Sequence, residues 1–108
     1  MTWYPIGDSL IGSEGGTVIH DDEHSQGARI TLERATEHAP FAITCGIYGW
    51  MFHTRSIATE AAAESGFAEM KRVMENILGM IQLYDASADR DTYEAVIDEI
   101  ERLVKEFF

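Results

Sequence analysis

The stretch from Ala39 to Thr59 constrains the fold most, because it carries a single formal charge, Arg55, in a chain that is otherwise acidic throughout. Within it, apolar residues alternate with small or polar ones, which is the two-residue period of a β-strand. The dipeptide Tyr48-Gly49 has the length and the glycine of a tight hairpin turn. We therefore predict a hairpin of two antiparallel strands, Phe41–Ile47 and Trp50–Ile57.

The flanking segments complete the predicted fold. Thr17–Asp21 and Ala28–Arg34 are typical strands, and the polar residues 22–27 between them indicate a hairpin loop. Residues 58–108 predict two helices, the first with an apolar stripe from Ala63 to Tyr84 at spacings of three and four. Asp91, followed by Glu94, is the predicted N-cap of the second helix.

Strands followed by helices, without alternation, indicate an α+β fold. We predict a four-stranded antiparallel β-meander followed by two C-terminal helices that pack on one face of the sheet, in two layers. A chain of 108 residues has the length of a single domain, with strands and loops in residues 1–57 and helices in residues 58–108.

Composition limits the classes of partner. The net charge of −11 makes nucleic acid an unlikely partner, since little would displace counterions from phosphate. One cysteine, Cys45, rules out an intramolecular disulfide, and the first residues lack a secretory signal, so we expect a cytoplasmic protein. The uncharged stretch is long enough to suggest a membrane span, but its alternation argues against one. We predict no cofactor.

The predicted turn assigns side chains to two faces of the sheet. If Tyr48-Gly49 is a two-residue turn, Ile47 pairs with Trp50 and Cys45 with Phe52, and successive side chains alternate between faces. The predicted core face carries Phe41, Ile43, Cys45, Ile47, Trp50, Phe52 and Thr54, while the opposite face carries Ala42, Thr44, Gly46, Met51, His53 and Arg55.

The second of these faces is the candidate ligand site. Its cationic side chains would lie beside a shallow floor of small residues, an arrangement suited to a carboxylate or phosphate. The candidate ligand-binding residues are His53, Arg55, Thr44, Arg29 and Glu33. The alternative is that this face is solvated or contacts a second subunit.

Two further motifs suggest hydrolases. His20, Asp22 and His24 would share one side of a strand and could bind a divalent metal, although an acidic hairpin tip has the same composition. The tetrapeptide Gly7–Leu10 resembles the signature of GDSL-type esterases, and Asp21–His24 resembles that family's Asp-x-x-His element. That resemblance implies a Ser9 nucleophile in an α/β sheet, whereas this chain shows no βαβ units.

The expected function is a non-enzymatic binding or interaction module that forms a homodimer. Trp50, Met51 and Phe52 put apolar bulk on both sides of one strand, which a small domain has difficulty covering alone. The predicted partners are therefore a second copy and a small anion. The alternatives are an acidic inhibitor or immunity-type protein for a basic partner, and a metal-dependent hydrolase.

Overall fold

A computed structural model of the chain describes residues 3–7 and 10–108. Its elements are β1 (Trp3–Pro5), β2 (Thr17–His24), β3 (Ala28–Arg34), β4 (Phe41–Ile47), β5 (Met51–Ile57), α1 (Glu60–Ser87) and α2 (Arg90–Phe107). The strands pair antiparallel in sequence order, with β1 and β5 at the edges. Helix α1 contacts β3, β4 and β5, and α2 contacts α1 and β5. The predicted two-layer α+β fold is confirmed, with five strands rather than four.

The additional strand, β1, pairs with the C-terminal part of β2. Trp3 lies opposite His24 and Pro5 opposite Asp22, so β2 continues three residues beyond its predicted end at Asp21. The β2–β3 connection is correspondingly tight: Gly27 has a φ of 105°, and its N–H donates to the carbonyl of His24 at 3.0 Å. A strand of three residues that includes a proline gives too little alternation to predict from sequence.

The β4–β5 hairpin differs from the predicted register by one residue. Ile47 pairs with Met51 and Cys45 pairs with His53, so Trp50 belongs to the connection rather than to the strand. The N–H of Trp50 donates to the carbonyl of Ile47 at 2.9 Å, and Gly49 has a φ of 83°, which is the arrangement of a type II turn. The predicted two-residue loop is therefore wrong.

A one-residue shift exchanges the two faces of β5. Met51, His53, Arg55 and Ile57 face the helices, whereas Phe52, Thr54 and Ser56 face the opposite side. We call that opposite side of the sheet the open face. Ile43 is fully buried as predicted, but the Phe52 side chain is 71% exposed rather than part of the core.

The first helix follows its predicted pattern closely. Thr59 caps its N-terminus by accepting the N–H of Ala62, and Ala88 ends it in a left-handed conformation with a φ of 49°. The buried residues are Ala63, Gly66, Phe67, Met70, Met74, Ile77, Leu78 and Ile81. Helix α2 begins two residues earlier than predicted, with Asp89 rather than Asp91 as N-cap. In the described part of the chain, neither helix combines the length and apolar content needed to cross a membrane.

Candidate functional site

The structure separates the five candidate ligand-binding residues into two groups. Arg29, Thr44 and Glu33 lie on the open face, as predicted. His53 and Arg55 lie on the helix face, because the β5 register is shifted. The predicted cluster of cations beside a small-residue floor is therefore not assembled.

On the helix face, the two displaced residues contact the end of α2. The His53 ring lies 5.2 Å from the ring of Phe108, and the Arg55 guanidinium lies 5.6 Å from the ring centroid of Phe107. Cation–π contacts of this kind contribute about 0.5–1 kcal/mol at exposed sites. These contacts give His53 and Arg55 a role in packing α2 against β5.

Asp21 organises the polar centre of the open face. Its carboxylate is nearly buried and accepts two hydrogen bonds from Arg29, from Nε at 2.9 Å and from Nη2 at 2.7 Å. The Thr31 hydroxyl donates to the same carboxylate at 3.1 Å. This bidentate pair raises the pKa of Arg29 and fixes the guanidinium plane over the sheet.

A second buried carboxylate, Glu33, holds a loop over the far end of the open face. The Gly16 N–H donates to its Oε1 at 3.0 Å, and the Glu14 N–H lies 3.2 and 3.3 Å from its two oxygens. Gly12 packs so closely that a Cβ there would lie 2.1 Å from Cδ of Glu33. Glu33 is therefore a structural anchor for residues 10–16, and its carboxylate is already satisfied by backbone N–H groups.

Between this loop and the β4–β5 turn, the open face forms a groove of about 540 Å³, which we call the open-face groove. Its floor consists of Thr31, Thr44 and Gly46, whose small side chains leave the sheet surface low. Thr44 and Thr54 share a hydrogen bond of 3.1 Å across the strands. The apolar walls of the groove are Ile11, Tyr48 and Phe52, three residues that are each more than half exposed.

Two tyrosines tie the turn end of the groove to β1 and β2. Glu23 accepts hydrogen bonds from the hydroxyls of Tyr4 at 2.6 Å and Tyr48 at 2.9 Å. These bonds lower the pKa of Glu23, because they stabilise the ionised carboxylate. The Tyr48 ring is thereby held in place beside the groove.

The candidate metal ligands share the helix face of β2, as their spacing predicts, but each has another partner. His20 Nε2 lies 3.0 Å from Glu64 Oε1, and Asp22 forms a 2.6 Å ion pair with Lys71. The ring of His24 stacks edge-on against Trp3 with centroids 4.8 Å apart. Within residues 3–7 and 10–108, no three His, Cys, Asp or Glu side chains are grouped to hold a metal ion.

Among the described residues, the other candidates for nucleophilic or acid–base catalysis also lack the arrangement that catalysis needs. Asp8 and Ser9 of the GDSL-like tetrapeptide lie outside the described residues. Asp21 and His24 of the second element project from opposite faces of β2, so they do not form an acid–base pair. Cys45 is fully buried, and burial raises the pKa of its thiol to about 12.

Helix α2 exposes an acidic side, the surface that a basic protein partner would contact, but part of its charge is paired within the helix. Arg90 contacts Glu94 at 3.1 Å, and Arg102 contacts Glu99 at 2.6 Å. Exposed pairs of this kind contribute little to stability. A basic protein partner for this surface stays a prediction.

The groove's apolar walls were not predicted as site residues. Ile11 lies in a segment rich in turn-forming residues, in which no site residue was predicted, and Phe52 was assigned to the core. The available signal was the succession Trp50-Met51-Phe52, which requires one bulky residue on the open face in either register. Phe52 is therefore the bulky apolar residue that the sequence left without a buried position, and in the structure it forms a wall of the groove.

Comparisons with known proteins give no relative: no protein-family model matches the chain, and no curated protein or solved structure matches it. The functional argument therefore depends on the geometry of this chain.

Gly12 tests the role of the loop anchor. We expect Gly12→Ala to lower the free energy of unfolding by about 1–3 kcal/mol, because the added methyl group forces the bound Glu33 side chain to move. Gly79→Ala is the matched control, since a Cβ at this exposed α1 position meets nothing within 4 Å. The control should raise stability by about 0.5–1 kcal/mol. Urea titration measures both, and equal effects of the two substitutions would contradict the anchor.

His24 should make stability dependent on pH. Burial lowers the pKa of His24, so the unfolded chain takes up this proton at a higher pH than the folded chain. The stabilisation is complete above the unfolded value of about 6.5 and is lost as the pH falls through the folded pKa. We expect a lower thermal midpoint at pH 5 than at pH 7, and a smaller difference in His24→Phe. In His38→Phe, which replaces an exposed loop histidine, the thermal midpoint should change between pH 5 and pH 7 as much as in the unmodified protein. If both variants reduce this change equally, the pH dependence does not come from His24.

Proposed function

We propose that this chain is a non-catalytic binding module that holds a small organic ligand in the open-face groove and self-associates as a homodimer. The observation that carries the proposal is the groove itself, which combines a low polar floor with exposed apolar walls. Its volume of about 540 Å³ lies within the roughly 300–1,000 Å³ typical of small-molecule sites.

The walls indicate a ligand with a flat apolar part. Phe52 is 71% exposed and Ile11 is 66% exposed, and both lose contact with water when a ring or chain occupies the space between them. Covering an aromatic or aliphatic side chain of this size contributes about 1.5–3 kcal/mol. The hydroxyls of Thr31 and Thr44 each make one hydrogen bond within the protein and retain an acceptor lone pair for a polar group at the floor.

The charges around the groove favour an uncharged ligand over the predicted anion. Arg29 is the cation that remains on this face, and its guanidinium is engaged by both oxygens of Asp21. Glu23 adds a second carboxylate close to the same guanidinium. An anion would therefore be repelled by two carboxylates, and the one arginine nearby already has its charge balanced by an ion pair.

Binding rather than catalysis is supported by the state of the groove's polar groups. Asp21 is hydrogen-bonded to Arg29 and Thr31, and Thr44 is hydrogen-bonded to Thr54. Glu23 accepts hydrogen bonds from two tyrosines. Groups tied in this way hold a surface in shape, but they are not positioned to transfer a proton or attack a substrate. Self-association is supported by exposed apolar side chains such as Phe52 and Phe108.

A matched pair of fluorescent probes tests the site and the charge of its ligand. N-phenyl-1-naphthylamine is uncharged, and 8-anilinonaphthalene-1-sulfonate has the same aromatic frame with an added sulfonate. We expect the uncharged probe to bind with the lower Kd, and Phe52→Ala to weaken it by about tenfold, equivalent to about 1.4 kcal/mol.

Leu83→Ala is the control, because Leu83 is an exposed apolar side chain of α1 outside the groove. It should leave the Kd of the uncharged probe unchanged. Tighter binding of the sulfonate, with loss in Arg29→Met, would restore the predicted anion site. Equal effects of Phe52→Ala and Leu83→Ala would show that the probe binds elsewhere, and the proposed site would be abandoned.

A further inference from the structure

The two edges of the sheet differ in a way that bears on self-association. Edge strand β1 has three residues and ends with Pro5, two features that disfavour pairing of its outer side with a further strand. Edge strand β5 has seven residues, contains no proline and pairs with β4 without a bulge. Its outer N–H and C=O groups have no strand beside them within the described part of the chain.

Protective charges are few on β5. Strand edges are commonly protected by lysine or by inward-pointing charged residues, and Arg55 is the one such residue in this strand. The strand Met51-Phe-His-Thr-Arg-Ser-Ile57 has no carboxylate and no lysine, and its one permanent charge, on Arg55, is turned toward Phe107. In a chain with a net charge of −11, β5 itself therefore brings no carboxylate to this edge.

We propose that β5 pairs antiparallel with β5 of a second copy, about a two-fold axis at Thr54, to form one continuous sheet of ten strands. The inference rests on the proposed self-association and names its surface. Thr54 is the middle residue of β5, so this register pairs the whole strand with its symmetry mate.

Side-chain sizes along the strand fit this register. Pairing about Thr54 places Thr54 opposite its own copy, and Phe52 opposite Ser56. The small Ser56 side chain leaves room for the Phe52 ring, which is largely exposed in one copy. The arrangement recurs on both sides of the axis, as a two-fold interface requires. The β5 edge is thus complementary to the same edge of a second copy.

Cysteine crosslinking tests the register directly. Opposite Cα atoms in an antiparallel pair lie about 4.5–5.5 Å apart, within the about 4.4–6.8 Å that a disulfide spans. We expect light scattering to give twice the chain mass of 12.1 kDa for the unmodified protein and for reduced Thr54→Cys. Under mild oxidation, Thr54→Cys should form a covalent dimer about a hundredfold faster than Leu83→Cys, because pairing brings its two sulfurs to an effective concentration in the mM range.

The native Cys45 does not interfere, since it is fully buried. A dimer in which Thr54→Cys crosslinks no faster than Leu83→Cys would overturn the β5 interface while leaving self-association intact. A monomeric protein would overturn both self-association and the β5 interface. The β5 edge would then be available to an extended segment of a different protein. Probe binding to Phe52 in the groove is measured separately, so its failure is distinguishable from either result.

Discussion

The turn between β4 and β5 decides what lies on each face of the sheet. The N–H of Trp50 donates to the carbonyl of Ile47, and pairing resumes at Met51 rather than at Trp50. Because side chains alternate along a strand, that single additional residue determines the orientation of every side chain in β5. It directs His53 and Arg55 toward α2 and leaves Phe52 on the open face.

Backbone sterics explain why this turn is chosen. A two-residue hairpin needs a type I′ or II′ turn, in which the first central residue has a positive φ. That residue is Tyr48, whose φ is not positive, and a side chain of this kind makes such a conformation costly. Gly49 instead supplies the positive φ at the second central position, where a type II turn needs it. The hairpin then includes Trp50, whose ring packs against Tyr84 and Tyr93 at centroid distances of 5.9 and 5.6 Å.

The sequence supports the fold more strongly than the site, for identifiable reasons. The α1 stripe and the core positions of β3 and β4 extend over many residues, so each residue reinforces the same assignment. Two of the five candidate site residues, His53 and Arg55, depended on the register of β5, and that register depended on one turn. The N-cap of α2 was displaced for a related reason: the two-residue connection Ala88-Asp89 starts the helix at once, before Asp91 can act as a cap.

Phe52 links the two proposals physically. Its side chain forms a wall of the open-face groove, and its backbone belongs to the edge proposed to pair with a second copy. Pairing about Thr54 would place Ser56 of the second copy beside the same ring, and would restrict the rotamers that the ring can adopt. A ligand that prefers one of those rotamers would bind the paired and unpaired chains with different affinities. By linkage, each bound ligand would then shift the equilibrium between monomer and dimer by the same factor. Together, the two proposals predict that the groove and the strand edge are thermodynamically coupled through a single side chain.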